Sequence, residues 1–208
     1  MFLLYAVVVG IVVGFLLGGR LSGLASLDFR WAPLALAGLA VQLLLFSAPI
    51  SDRVGDLGPV IYVGSTAMVL VVVLRNFRIA GMPLVALGAA SNMIAIVANG
   101  GYMPTSPEAA AAAGRVEATT YSNSAIVDDA VLTPLTDIFA LPTWLPFTNV
   151  FSIGDLLIGV GVAMAIVVAM RRGRAPGGAE AADAADAADE PDGTPGASRN
   201  LPQRRTPA

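Results

Sequence analysis

Arginine sits in every second connecting segment of this chain, and that spacing restricts its fold more than any other feature. Five apolar runs, at 1–19, 33–50, 59–74, 82–98 and 152–170, each come close to the roughly 17–25 residues that a membrane-spanning helix needs. The segments after the first, third and fifth runs hold Arg20 and Arg30, then Arg75 and Arg78, then Arg171, Arg172 and Arg174. The segments after the second and fourth hold only Arg53 and Arg115, set among Asp52, Asp56, Glu108, Glu117, Asp128, Asp129 and Asp137. Membrane proteins keep arginine on the cytoplasmic side. The alternation therefore predicts five crossings, with the N-terminus outside and the C-terminus in the cytoplasm of a multi-pass cell-membrane protein. The expected fold is an all-α membrane protein. A bundle of about five transmembrane helices occupies 1–172, with a long extracytoplasmic loop at 99–151 and a disordered cytoplasmic tail at 173–208.

The runs do not read as soluble helices. An amphipathic helix repeats charge every third or fourth residue along one face. Here 1–19 and 59–74 carry no charge, and 152–170 carries only Asp155, near its start. Only 13% of the chain is charged, against about 25% in soluble domains. Cys and His are both absent. That removes disulfides, thiol nucleophiles, thiolate or imidazole metal sites and imidazole acid–base chemistry. No metal and no cofactor is therefore expected, and any chemistry falls to carboxylates, hydroxyls, amides or arginine. The net charge of −3 owes much to the tail, with Glu180, Asp183, Asp186, Asp189, Glu190 and Asp192. Overall charge thus says little about partners, and no nucleic-acid partner is expected.

The first run lacks a basic leader region and a small-x-small cleavage site, so a retained helix is expected rather than a signal peptide. Pro33, Pro59 and Pro83 fall near first turns, where a missing N–H costs nothing and the fixed φ suits a helix. Trp31 beside Pro33 reads as an aromatic anchor at an interface. Gly10, Gly14 and Gly18 recur every four residues and give a flat face for close backbone approach. Packing within the chain is the first use of that face, and homo-oligomerisation the second. Gly161, Ala165 and Ala169 form a similar, weaker stripe. Gln42 and Asn92 lie inside apolar runs, where an unpaired amide costs several kcal/mol; each should find a partner helix or a wet cavity.

Function is sought where the fourth run ends and the fifth begins. Asn99-Gly100-Gly101-Tyr102-Met103-Pro104 has a structural explanation: Asn or Gly takes a left-handed cap and Pro blocks continuation. Ser152-x-x-Asp155 likewise reads as a capping box. The functional reading adds that Asn92 and Asn99, seven apart, share a helix face. If the fifth helix packs on that face, Asn92, Asn99 and Asp155 converge on an outward polar pocket, and Asp137 joins them from the loop. These four are the candidate ligand-binding residues; no catalytic residue is assigned. The Pro- and aromatic-rich stretch 133–149 would form a lid or lie in the interface, whereas 107–120 reads as a short solvated helix.

The pair of motifs carries a resemblance. Asn99, Gly100, Gly101, Met103 and Pro104, then Phe151, Ser152, Gly154 and Asp155, resemble a bacterial integral membrane family, domain of unknown function 5317. The resemblance covers residues 1–172. It implies a membrane architecture and brings no assigned activity.

The tail, with its Ala-Ala-Asp repeat, buries too little to offset its ordering entropy, and Arg171, Arg172 and Arg174 would lie by anionic headgroups. Three functions are weighed. The first is a non-enzymatic membrane protein with a small-ligand or partner site at the outer ends of the fourth and fifth helices. The second is an oligomeric small-solute transporter, disfavoured because the fifth run is almost free of polar residues. The third is an enzyme acting on a lipid-like substrate with Asp137 and Asp155 as acid and base.

Overall fold

The computed structural model describes residues 2–114 and 122–173. The expected tail and the C-terminal part of the expected 107–120 helix lie outside these residues. Helices dominate, in keeping with an all-α class. They are α1 (Phe2–Leu16), α2 (Ala32–Leu45), α3 (Ala48–Val54), α4 (Leu57–Arg75), α5 (Met82–Ala98), α6 (Pro107–Ala112) and α7 (Ile153–Arg172), with a 3-10 turn at Leu21–Ser26 and another at Thr133–Leu135. Four short strands, β1 (Met103–Thr105), β2 (Ser124–Ile126), β3 (Phe139–Ala140) and β4 (Val150–Phe151), lie between α5 and α7. β1 pairs in parallel with β2, and β3 antiparallel with β4.

Glycine and proline set the helix ends. In α1 the apolar run continues to Leu17, yet the helix stops at Leu16 because Gly18 turns left-handed at φ 74°. The Gly19 N–H reaches Gly14 O (2.8 Å) and the Gly18 N–H reaches Phe15 O (2.8 Å), the two bonds that close a Schellman end. The same pair recurs after α5, where Gly101 N–H donates to Ile96 O and Gly100 N–H to Val97 O. Gly100 and Gly101 both hold positive φ, and a Cβ on Gly101 would overlap Pro59, so neither tolerates a side chain cheaply.

The run expected as one helix over 33–50 is instead broken. α2 ends at Leu45, and α3 restarts at Ala48 with Pro49 in its first turn. Proline there has no N–H for Leu45 O and would crowd it, so the chain leaves the helix at Phe46 and Ser47. α4 and α7 are long and apolar enough to cross a membrane. α1, α2 and α5, with 15, 14 and 17 residues, rise roughly 21–26 Å at 1.5 Å per residue, less than a bilayer core of about 30 Å. Five full-length spans are therefore not what the helices provide.

Neighbours follow the order α1, α7, α5, α4, α2. Small residues let α7 sit closely between α1 and α5. Gly10 is buried against Ala163 and Gly14 against Met170, so two of the three stripe glycines pack within the chain while Gly18 is exposed. On another face of α7, Gly161 abuts Gly81, Ala165 packs with Val73, Met82 and Val85, and Ala169 meets Gly23. The Gln42 amide donates to Thr66 Oγ1 (3.2 Å), bonding α2 to α4. Large apolar side chains cover the flanks, with Leu36, Leu43, Val60 and Val97 each more than half exposed. α6 is not simply solvated: it buries Ala109 and Ala110 against the loop that carries β3.

Candidate functional site

The site starts from two glycines. Where α5 crosses α7, a Cβ on Gly88 would overlap Gly154 O, and a Cβ on Gly154 would overlap Asn92 Oδ1. Only with hydrogen at both positions do the backbones come close enough for Asn92 to span the gap. The Asn92 Nδ2–H donates to Asp155 Oδ1 (2.7 Å), and Asn92 Oδ1 accepts from the Ser152 hydroxyl (2.9 Å). The expected capping box closes the ring. Ser152 Oγ accepts from the Asp155 N–H (3.0 Å), and Asp155 Oδ2 accepts from the Ser152 N–H (3.2 Å). Capping is thus one of two roles for Asp155, the other being the helix-to-helix bond. Ser152 is fully buried in this ring. A carboxylate offers about four lone-pair positions, so Asp155 retains capacity beyond these two bonds.

Asp137 arrives by strand pairing. Its N–H donates to Pro104 O (2.9 Å), and its carbonyl accepts from the Ser106 N–H (3.1 Å), which aligns it beside β1 through a bridge to Thr105. β1 in turn follows directly from the Gly100-Gly101 turn that ends α5, so the cap positions Asp137 at one remove. On the other edge of β1, Thr105 Oγ1 and Ser124 Oγ lie 2.7 Å apart. Asp137 is buried.

These elements enclose a cavity of about 300 Å³. Asn92, Asp137 and Asp155 line it together with Tyr62 from α4, and Asn123 and Asn149 from the loop. Phe2 and Ile158 add apolar surface to its lining. Phe2 stacks on Phe151 at 4.6 Å between ring centroids, and Phe151 on Phe139 at 5.4 Å, so α1 and the β3–β4 hairpin close one side. The Tyr5 hydroxyl donates to Pro146 O, tying the Pro-rich stretch to α1 as well.

Three of the four candidate residues therefore share one cavity, and Asn99 stands apart. Its Nδ2 donates to Val131 O (2.8 Å) and to Ala95 O (2.8 Å), while its Oδ1 accepts from the Val131 N–H (2.9 Å). Asn99 is a brace that pins the loop to the end of α5, and the described residues that line the cavity do not include it. Sequence reasoning missed Tyr62, Asn123 and Asn149. Tyr62 carried one usable signal: it is the one aromatic residue inside the apolar run 59–74. Asn123 and Asn149 carried none, since their approach depends on β1–β2 and β3–β4 pairing. Among the described residues no three His, Cys, Asp or Glu side chains gather as metal ligands. The polar part of the lining is made of carboxylates, amides and hydroxyls, suited to hold hydrogen-bond donors.

The comparisons with known proteins give one match. The model of a family of unknown function (DUF5317) covers residues 26–167, which takes in α2 to most of α7 and leaves α1 outside. No curated protein and no solved structure matches the chain.

Proposed function

Since the chain belongs to this family of unknown function, its role has to be argued from the site, and we propose that it is a multi-pass membrane protein that binds a small polar ligand. Two properties support the membrane setting: flanks of exposed Leu and Val without charge, and arginine concentrated in alternate segments, seven residues against Arg53 and Arg115 in the others. Five helices thread the bilayer, with the N-terminus outside and the C-terminus in the cytoplasm. The three shorter helices are accommodated by local thinning of the lipid, which costs fractions of a kcal/mol per Å.

One observation carries the ligand. Asn92, Asp137 and Asp155 line a single cavity whose described lining holds two carboxylates and no arginine. Such a lining favours a molecule that presents positive charge or several N–H and O–H groups, with the apolar lining residues contacting its carbon skeleton. Binding is a better reading than proton transfer. Both Asp155 oxygens already accept hydrogen bonds from Asn92 and Ser152, which fixes the carboxylate in place.

The test uses purified protein in detergent and a panel of small ammonium compounds and polyols. A ligand at a hundred times its Kd stabilises by about 2.7 kcal/mol, readable as a raised Tm. The shift should vanish in Asp137→Asn, measured from that variant's own unliganded Tm. A compound that stabilises wild type and Asp137→Asn equally binds elsewhere, and a panel without a hit counts against the site. The chain has no cysteine, so single cysteines placed in each connecting segment report its side by labelling with an impermeant reagent. Labelling of the 122–131 stretch and of Gly173→Cys from the same side would overturn the five-span arrangement.

A further inference from the structure

The opposite end of the bundle holds a second cavity, of about 610 Å³, where α4 and α7 finish. Arg30, Arg75, Arg78 and Arg172 line it, from four places in the chain: the segment before α2, the last residue of α4, the turn after α4 and the last residue of α7. Among the described residues Asp28 is the one carboxylate in the lining, and its approach to Arg30 is loose, at 4.0 Å with both side chains mostly exposed. Exposed contacts of that kind contribute little. The positive charge is therefore largely uncompensated at a concave site.

A topology signal alone requires arginine on one side of the membrane. It does not require four guanidinium groups to meet in one cavity, and Arg20 and Arg171 satisfy the signal without lining it. The convergence is built by buried Asn76. Its Oδ1 accepts from the Arg30 N–H (2.8 Å), and its Nδ2 donates to Arg30 O (2.8 Å) and to Val72 O (2.8 Å). This two-way clamp fixes the Arg30 backbone against the end of α4. The clamped segment leads straight into Trp31, held at φ 61°, an unusual conformation for a bulky residue that needs such support. The Arg75 guanidinium lies 5.7 Å above the Trp31 ring. Stacking leaves the edges of the guanidinium free to donate, and its planar fork matches phosphate oxygens. Exposed Leu74, Phe77 and Trp31 form an apolar border.

We propose that this arginine cavity binds a phosphate group, offered either by a lipid headgroup whose chains lie along Leu74 and Phe77 or by a soluble phosphate. Its volume falls within the roughly 300–1,000 Å³ of small-molecule sites. Nothing in the proposal depends on the ligand assigned to the Asn92–Asp155 cavity.

The chain has two tryptophans, and Trp144 is exposed, so Trp144→Phe leaves Trp31 as a fluorescent reporter beneath Arg75. The full chain in mixed micelles is titrated with short-chain phosphatidic acid, with short-chain phosphatidylcholine and with inorganic phosphate. Phosphatidic acid should give a saturable change in Trp31 emission at much lower concentration than phosphatidylcholine. Arg78→Gln with Arg172→Gln should raise its midpoint by roughly tenfold or more, at about 1 kcal/mol per arginine. Saturation by phosphatidic acid without competition from inorganic phosphate assigns the site to lipid. Saturation by inorganic phosphate alone assigns it to a soluble ligand, and both outcomes uphold a phosphate site. Equal midpoints for the two lipids, or a midpoint unmoved by the double substitution, overturn it. Should the double variant fail to fold, Arg78→Gln alone should shift the midpoint about fivefold, and no shift there is equally fatal.

Discussion

The two ends of the helix bundle use asparagine in opposite ways. Asn92 bonds side chain to side chain, closing a ring with Ser152 and Asp155 that joins α5 to α7. Asn76 bonds side chain to backbone, and the charged groups around it remain turned toward solvent. At the first end Asn92, Ser152 and Asp155 bond to one another in the ring and depend on glycine for the necessary closeness. The second end fixes only the main chain and leaves four guanidinium groups open to an outside partner. Substitutions should therefore cost most where backbones touch, less where a side chain bridges, and least on the flanks.

The largest loss is expected for Gly154→Ala. The added Cβ would occupy the position of Asn92 Oδ1 and lie 2.8 Å from Gly88 O, so two helices must separate and the ring must open. Overpacking of this kind costs about 3 kcal/mol or more, measurable as a drop in Tm in detergent or as loss of the monodisperse species. An unchanged Tm would mean that α5 and α7 are not in backbone contact, and the contrast between the ends would collapse.

Asp155→Ala ranks next. It removes the acceptor for the Ser152 N–H and leaves Asn92 Nδ2 without its partner, a combined cost of about 2 kcal/mol. Asp155→Asn keeps an oxygen for Asn92 and should recover part of it. Asn76→Ala, at the other end, removes three hydrogen bonds but lets the exposed Arg30 segment turn to water, so about 1.5 kcal/mol is expected. A stability cost confined to Asn76→Ala, with Asp155→Ala neutral, would reverse the assignment of the rigid end.

How much of this was readable in the residues depends on the range of the interactions. Helices over the apolar runs, the glycine-led end of α5 and the Ser152–Asp155 box are local, set by residues within about one turn, and the chain states them openly. Convergence of Asn92 with Asp155 follows from one further assumption, that α7 packs on the Asn92 face, and the geometry meets it. The bond of Asn99 to the Val131 peptide was not legible, because that partner comes from a loop without periodicity. The break at Phe46 and Ser47 was overlooked because the apolar run continues through Pro49, and hydrophobicity hid the missing N–H. The cavity contributions of Asn123 and Asn149 hang on strands of two or three residues, too short for any alternation to announce. Arginine spacing, read as a sign of topology, gave no hint that Asn76 would gather four of those residues around one cavity.

A smaller effect should follow from Gln42→Leu. The amide bonds Thr66 at 3.2 Å between α2 and α4, and in the proposed membrane setting such interhelical bonds are worth about 0.6 kcal/mol on average. Thr66 also donates to Tyr62 O in its own helix, so it is not left without a partner. A Tm loss as large as that of Asp155→Ala would show that α2 is joined to α4 as tightly as α5 is to α7, and would blur the distinction between ring and flank.

The smallest effect is expected for Gly64→Ala, and its size bears on the setting of the whole molecule. Gly64 lies within α4, exposed, and an added Cβ would meet nothing within 4 Å. In water such a change stabilises by about 0.4–1 kcal/mol, because alanine restricts the unfolded chain more than glycine does. In a bilayer the separated helix must still satisfy its own N–H and C=O groups, so the reference state remains helical and that entropic gain largely disappears. Gly64→Ala should therefore leave stability in lipid close to wild type, while Gly154→Ala, which forces backbones apart, remains severe in any medium. A clear gain for Gly64→Ala in lipid would indicate that the unfolded reference for α4 is a solvated coil, and would place the apolar flank of that helix somewhere other than in hydrocarbon.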